Sequence, residues 1–181
     1  MNNLVAAGIA QALGAITANL LKIHSGDPGA AGTNNELSGG SYAPVAVTLG
    51  AVAGNQLPLS NQPEVNIPAS STTSHWSLWQ NATVKAIGQL YTKHSAEAGN
   101  DSGLGTITIK TTPVHASTPN AGMIYIDGDA YEYTGRADNV FTIVGTLSQD
   151  YAEDVVVLAP IPLTFGADGA QKIESLVINM V

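Results

Sequence analysis

The 181-residue chain contains no cysteine, which excludes disulfides, zinc–thiolate sites, iron–sulfur clusters and a thiol nucleophile. Charge is scarce: 11% of residues are Asp, Glu, Lys or Arg, against about 25% in an ordinary soluble domain. Basic charge is scarcest, with six Lys and Arg against fourteen Asp and Glu and a formal net charge of −8. Binding to nucleic acid or to anionic lipid depends on basic side chains that displace counterions, so neither nucleic acid nor a membrane surface is an expected partner. Aromatic residues make up 6% of the chain, too few to line a glycoside-cleaving cleft. Long apolar runs are also missing. Leu4 to Ile23 is rich in Ala, Leu and Ile but is interrupted by Gln11, Asn19 and Lys22, short of the ~18 residues that would suggest membrane insertion. The opening Met1-Asn2-Asn3, with no Lys before Lys22, lacks the positive start of a secretory signal.

What is present suits a loop-rich β protein. Apolar residues reach 44%, with 19 Gly and 9 Pro, so a core can form between many turns. The length predicts one domain or two small ones. Ile9, Leu13, Ile16, Leu20 and Ile23 recur at alternating steps of four and three, which predicts a helix from Val5 to about Thr17 with one apolar stripe. The same steps fit a heptad with Leu at a and Ile at d, a choice that favours three or more strands, but so short a run without charged flanking positions suits better one helix lying on its own domain. Ser25 to Tyr42 reads SGDPGAAGTNNELSGGSY, a long surface loop whose glycines fit no phosphate-binding pattern.

Short β-type runs follow at Val45–Leu49, Glu64–Ile67, His75–Trp79, Ala86–Thr92 and Thr106–Lys110, each bounded by Gly, Pro, Asn or Ser. Their spacing predicts a mainly β fold, an antiparallel β-sandwich or jelly-roll-like domain carrying the N-terminal helix. Thr112 to Asn120 holds two prolines and almost no periodicity and is read as a linker. It divides the chain into residues 1–112 and a small hairpin-rich β unit, 113–181. In that second unit Asp127-Gly128 separates Met123–Ile126 from Asp129–Tyr133, the signature of a two-residue hairpin turn. From Asn120 onward acidic residues dominate, opposed only by Arg136 and Lys172.

No catalytic, cofactor-binding or metal-binding residue is predicted. His24, His75, His94 and His115 are scattered without a GxSxG elbow or metal-ligand spacing. Asp127, Asp129 and Glu132 depart from the EF-hand order, and a hairpin explains the first of them. Trp76 and Trp79 give the densest aromatic signal. On a strand they point to opposite faces, so one is expected in the core and the other at an edge or interface, with sugar stacking the sharper alternative for Trp79.

The order of these motifs resembles a family of tailed-bacteriophage virion proteins, usually labelled tail-fibre proteins. The family has an apolar strand ending in His-x-x-Asp-Pro-Gly, matched by LLKIHSGDPG at Leu20 to Gly29. A loop with Asn-Glu and a Gly-rich step follows, matched by NELSGGSYAPVAV at Asn35 to Val47. VNIPASSTTSHWSLWQNAT at Val65 to Thr83 and GQLYTKHS at Gly88 to Ser95 complete the order. Pro44 stands where the family has Arg, and Val84 to Ile87 replaces part of a Gly-Gly turn. The resemblance implies a non-enzymatic structural component of the virion, made in the host cytoplasm, without a cofactor, placed on a tail or capsid surface among other virion proteins. A capsid decoration protein (head fibre or cement) and a carbohydrate-binding receptor protein that takes a host-surface glycan are the alternatives. It also implies a homo-oligomer, a trimer by preference, for which Ile9, Leu13, Ile16, Leu20, Trp76 and Trp79 are the interface candidates.

Overall fold

A computed structural model describes residues 11–12, 14–52, 56–173 and 177–179. Its regular structure is antiparallel β. The strands are β1 (Leu20–His24), β2 (Val45–Ala46), β3 (Gln56–Pro58), β4 (Glu64–Ile67), β5 (Ser71–Thr73), β6 (His75–Gln80), β7 (Thr83–Gln89) and β8 (Thr92–Ser95). They continue as β9 (Thr106–Thr108), β10 (Gly122–Ile126), β11 (Asp129–Ala137), β12 (Val140–Ile143), β13 (Val156–Ala159), β14 (Leu163–Phe165), β15 (Gly169–Lys172) and β16 (Val177–Asn179).

The chain forms two compact units, residues 1–89 with 164–181, and residues 90–163. In the first, a four-stranded sheet has the order β2-β1-β6-β7, and three two-stranded ladders pair β14 with β5, β15 with β4 and β16 with β3. The second is built on a six-stranded sheet of order β8-β13-β10-β11-β12-β9. This division differs from the expected one near Thr112. β8 and β9 precede Thr112 yet pair with β13 and β12, while the last strands return to the first unit. Runs that a single sandwich over 1–112 would have held together are thus shared between two sheets.

Cross-strand pairing overrides the helical pattern at the N-terminus. Ile9 and Leu13 lie outside the described residues, as does most of the expected helix. Gln11, Ala12 and Gly14 are helical, and the Ala15 N–H donates to Gln11 O at 3.1 Å. Beyond them the stripe ends. Ile16 is half-buried in an irregular segment, and Leu20 and Ile23 belong to β1. β1 pairs with β6 residue for residue, Leu20 opposite Trp79 through His24 opposite His75. The period there is two: Leu21 and Ile23 are fully buried, and Leu21 was never part of the stripe.

β6 is covered on both faces. Trp76, Ser77, Leu78 and Trp79 are all buried, so both tryptophans lie inside the chain. The alternation still sends them to opposite faces, since β6 pairs with β1 without a break and the bulge on its other side is Lys85 of β7; what differs from the expectation is that both faces are covered. In the second unit alternation holds. Ile107, Ile124, Ile126, Tyr133, Phe141, Ile143, Val157 and Ala159 form the core side of the sheet, with the Tyr133 and Phe141 rings edge-to-face at 5.1 Å. Asp127 (φ 51°) and Gly128 (φ 91°) supply the two left-handed residues that a type I′ hairpin requires.

Gly88 is the closest approach in the first sheet. It lies opposite Trp76, and a Cβ there would stand 2.4 Å from the indole ring, a separation that forces the ring or β7 to move. We predict that Gly88→Ala lowers unfolding stability by about 1–3 kcal/mol, read from the urea midpoint, with an unchanged midpoint as the contrary result.

Candidate functional site

The residues that carry the motif order converge on the outer edge of β1. β2 covers only Leu20 and Leu21 of that strand, leaving the backbone of Ile23 and His24 without a regular neighbour. The loop from Ser25 to Tyr42 fills the gap. The Leu37 N–H donates to Ile23 O at 3.0 Å, the Ser25 N–H donates to Asn35 O at 2.9 Å, and His24 and Glu36 form an isolated bridge. The Tyr42 hydroxyl accepts from the Ile23 N–H at 3.0 Å and donates to Ile23 O at 3.3 Å. Burial pushes that phenol up to about 12, so it stays a donor at any physiological pH. Asp27-Pro28-Gly29 closes the loop's first turn, with the Gly29 N–H donating to Asp27 Oδ1 at 2.8 Å.

At the centre of this edge sits a buried relay. His24 is fully buried; its Nδ1 is 2.7 Å from Asn34 O and its Nε2 is 2.7 Å from Ser77 Oγ. A carbonyl only accepts, so Nδ1 carries the proton, Nε2 accepts from the Ser77 hydroxyl, and Ser77 Oγ accepts from Trp79 Nε1 at 2.7 Å. Burial holds His24 below its ordinary value, consistent with a neutral ring. Over the Trp79 ring, Lys22 Nζ lies 4.5 Å from the centroid and pairs with Glu36 at 2.9 Å. Gly32 (φ 68°) comes so close that a Cβ would meet Val84 at 2.6 Å and Trp79 at 3.1 Å.

A serine beside a histidine invites comparison with a hydrolase, but the geometry supports a clamp. The third member is a neutral carbonyl, which offers an imidazolium no charge. Ser77 is fully buried, and its oxygen already accepts from an indole N–H. The remaining histidines are held locally. His94 bridges Thr92 Oγ1 (2.6 Å) and Thr111 Oγ1 (2.7 Å). His75 is 2.9 Å from Ser74 Oγ, and His115 Nδ1 accepts from the Ser117 N–H at 3.1 Å.

The acidic turn is occupied by protein groups. Asp129 Oδ2 accepts from the Tyr151 hydroxyl at 2.5 Å and from Gln149 Nε2 at 3.1 Å, and Asp127 is a turn residue. Among the described residues no three His, Asp or Glu side chains gather as a metal site, and no helix is long and apolar enough to cross a membrane.

Of the interface candidates, Ile16 and Leu20 are half-buried, and Trp76 and Trp79 are buried within the chain itself. Trp79 therefore presents no open face to a sugar ring. Sequence reasoning missed Lys22, Asn34, Glu36, Tyr42 and Ser77 as members of one cluster. The available signal was Ser77, a small polar residue in the middle of an apolar strand.

A family model described as Podophage GP4 fiber I protein gp80 matches residues 2–110. The chain belongs to this family. No curated protein and no solved structure matches it. The clamp lies wholly inside the matched segment of this phage fibre protein, and so do β8 and β9 of the six-stranded sheet, joined to each other by the Ala96–Ile109 bridge. The four inner strands of that sheet come from residues beyond the match.

The clamp fixes the sign of a pH effect. The unfolded chain keeps His24 near its ordinary value of 6.5, so below that pH it binds more protons than the folded protein. The stabilisation is complete above pH 6.5 and is lost as pH falls towards the lowered folded value. His75 and His94 shift the same way, also through burial. The urea midpoint of the fibre protein is expected to drop between pH 7.5 and 5.5, and His24→Asn to shrink that drop. Equal midpoints at the two pH values would contradict the assignment.

Proposed function

We propose that the chain is a non-enzymatic structural subunit of a bacteriophage virion, a tail-fibre or tail-associated protein that assembles with itself and with other virion proteins. The observation that carries this reading is the use to which the family-matched residues are put. Asp27, Asn34, Glu36, Ser77 and Trp79 close a loop over a sheet edge instead of opening a cleft, and a scaffold is what such bonding builds. The fully buried Ser77–His24 pair fits the same reading, since a substrate has no approach to it.

Self-assembly rests on different ground from the expected heptad. With Leu20 and Ile23 on β1, no apolar helical stripe extends past Thr17, and a threefold bundle draws no support from those two residues. Apolar surface left uncovered elsewhere supports self-association instead.

The placement is tested on purified particles. Separating heads from tails and identifying the proteins of each fraction by mass spectrometry is expected to find this chain with the tails, and antibodies against it to label the tail end in electron micrographs. Recovery with heads alone would overturn the tail placement. Absence from both fractions would overturn the virion role.

A further inference from the structure

Residues 163–179 return to the first unit as a strap held mainly by main-chain pairing. β14 lies on β5, β15 on β4 and β16 on β3, so three ladders follow one another along residues 56–73. Between β15 and β4 the register is unbroken, Gly169 opposite Ile67 through Lys172 opposite Glu64, and the Ile173 N–H extends it by donating to Pro63 O at 2.9 Å. Side chains add little. The Thr72 and Thr164 hydroxyls lie 3.3 Å apart, and Asp168 Oδ1 accepts from the Ala69 N–H at 2.7 Å. No residue from 163 to 171 is buried, whereas Val65 and Ile67, on the β4 side of the ladder, are fully buried. A segment bound in this way is recognised by its backbone, and a second chain of the same sequence supplies it equally well.

The link that leads into the strap argues for such a second chain. It is the three residues Pro160-Ile161-Pro162 between β13 and β14, and it is stiff. Both prolines fix φ, the Ile161 N–H donates to Ala159 O at 2.8 Å in a three-residue turn, and the Thr92 hydroxyl meets Ile161 O at 3.1 Å. A link so short and so fastened sets the direction in which the strap leaves β13 and gives it no slack, the circumstance in which copies exchange a segment. The family match supplies the second argument. It ends at Lys110, so it contains β3, β4 and β5 but none of the strands that pair with them. The frame alone therefore presents an incomplete edge that an added strand must cover. A chain that assembles with itself can cover that edge with its neighbour's strap, and every ladder bond is then kept.

We propose that in the assembled fibre protein the strap of one copy, residues 163–179, lies on β3, β4 and β5 of another, so that each copy donates one strap and receives one. The proposal rests on the self-assembly reading above and deepens it by naming the segment and its partner. Reciprocal exchange closes a pair and head-to-tail exchange closes a ring, with the same contact in both. Its test needs only the purified full chain, so it stands apart from where the protein sits in the virion.

The chain has no cysteine, so an introduced pair reads the contact without background. Ile173 is hydrogen-bonded to Pro63, and bonded and non-bonded pairs alternate along the ladder. Ala170 opposite Asn66 is therefore a non-bonded pair, with Cα atoms about 4.5 Å apart and within reach of a disulfide. Both positions are exposed. In the full chain carrying Asn66→Cys and Ala170→Cys together, oxidation is expected to join chains covalently, giving a multiple of the chain mass on a denaturing gel without reductant. Either substitution alone is expected to join none. A disulfide closed within one chain, at the mass of one copy, overturns the proposal, as does failure of the pair to form a disulfide. If that one-copy sample nonetheless sediments as an oligomer before denaturation, self-assembly stands and the exchange alone fails. A second variant reads the link. A flexible Gly-Ser segment inserted between Ile161 and Pro162 gives the strap slack and a high effective concentration on its own chain. Sedimentation velocity is then expected to show association weakened about 100-fold, with the circular dichroism spectrum unchanged. Association indifferent to the insertion, or a monomeric wild type at every concentration, contradicts the exchange. Absence of the chain from particles would instead overturn the virion role and leave this contact standing.

Discussion

The hydrogen-bond relay from Asn34 through His24 and Ser77 to Trp79 is the constraint on which the first unit depends. It joins the end of β1 and the loop that follows it to the middle of β6, 53 residues further along the chain. His24, Ser77 and Trp79 are buried, and each would carry an uncompensated desolvation cost if a neighbour were lost. In this relay the Asn34 carbonyl requires a proton on His24 Nδ1, and burial disfavours a second one on Nε2. The eighteen-residue loop of Ser25 to Tyr42, too long and too glycine-rich to order itself, acquires one position from it. Lys22, Glu36 and Tyr42 then seal the same edge from outside.

A different economy governs the second unit. Its sheet takes its first and last strands, β8 and β9, which the Ala96–Ile109 bridge joins to each other, from the family-matched segment and its four inner strands from residues 122–159. These two short strands are fastened by specific side chains: His94 between Thr92 and Thr111, and Asn100, which accepts from the Thr108 N–H at 2.8 Å through Oδ1 and donates to Thr108 O at 2.9 Å through Nδ2. The inner strands supply most of the core. A family frame that ends near Lys110 thereby carries a sheet whose central strands lie outside it, and the return of β14, β15 and β16 to β5, β4 and β3 brings the chain back to the frame.

Much of this was legible in the sequence because it obeys short-range rules. The alternation expected over Thr106–Lys110, the Asp127-Gly128 turn and the bounded runs at Glu64–Ile67 and His75–Trp79 all fall on strands or turns, β9 ending at Thr108 and β6 at Gln80. The resemblance carried by His24-Ser25-Gly26-Asp27-Pro28-Gly29 and by the Val65 to Thr83 run matched the family. What was not legible was long-range. Leu20 and Ile23 continue a 3–4 spacing by coincidence, and only their partners on β6 reveal a strand. The assignment of β8 and β9 to the second sheet follows from pairing across as many as 67 residues, Thr92 opposite Ala159, which no local window contains. Ser77 looked like one serine among many. Its place opposite Lys22, with His24 two residues along β1, is what gives it a role.

The relay itself can be observed directly. Two-bond nitrogen–proton correlation spectra of the imidazole rings, recorded at pH 7.5 on protein labelled with nitrogen-15, report which ring nitrogen of His24 carries the proton, with His24→Asn identifying the resonance. The account predicts a neutral ring protonated on Nδ1, with Nε2 as the acceptor of the Ser77 hydroxyl. An imidazolium, or a neutral ring protonated on Nε2, would contradict it.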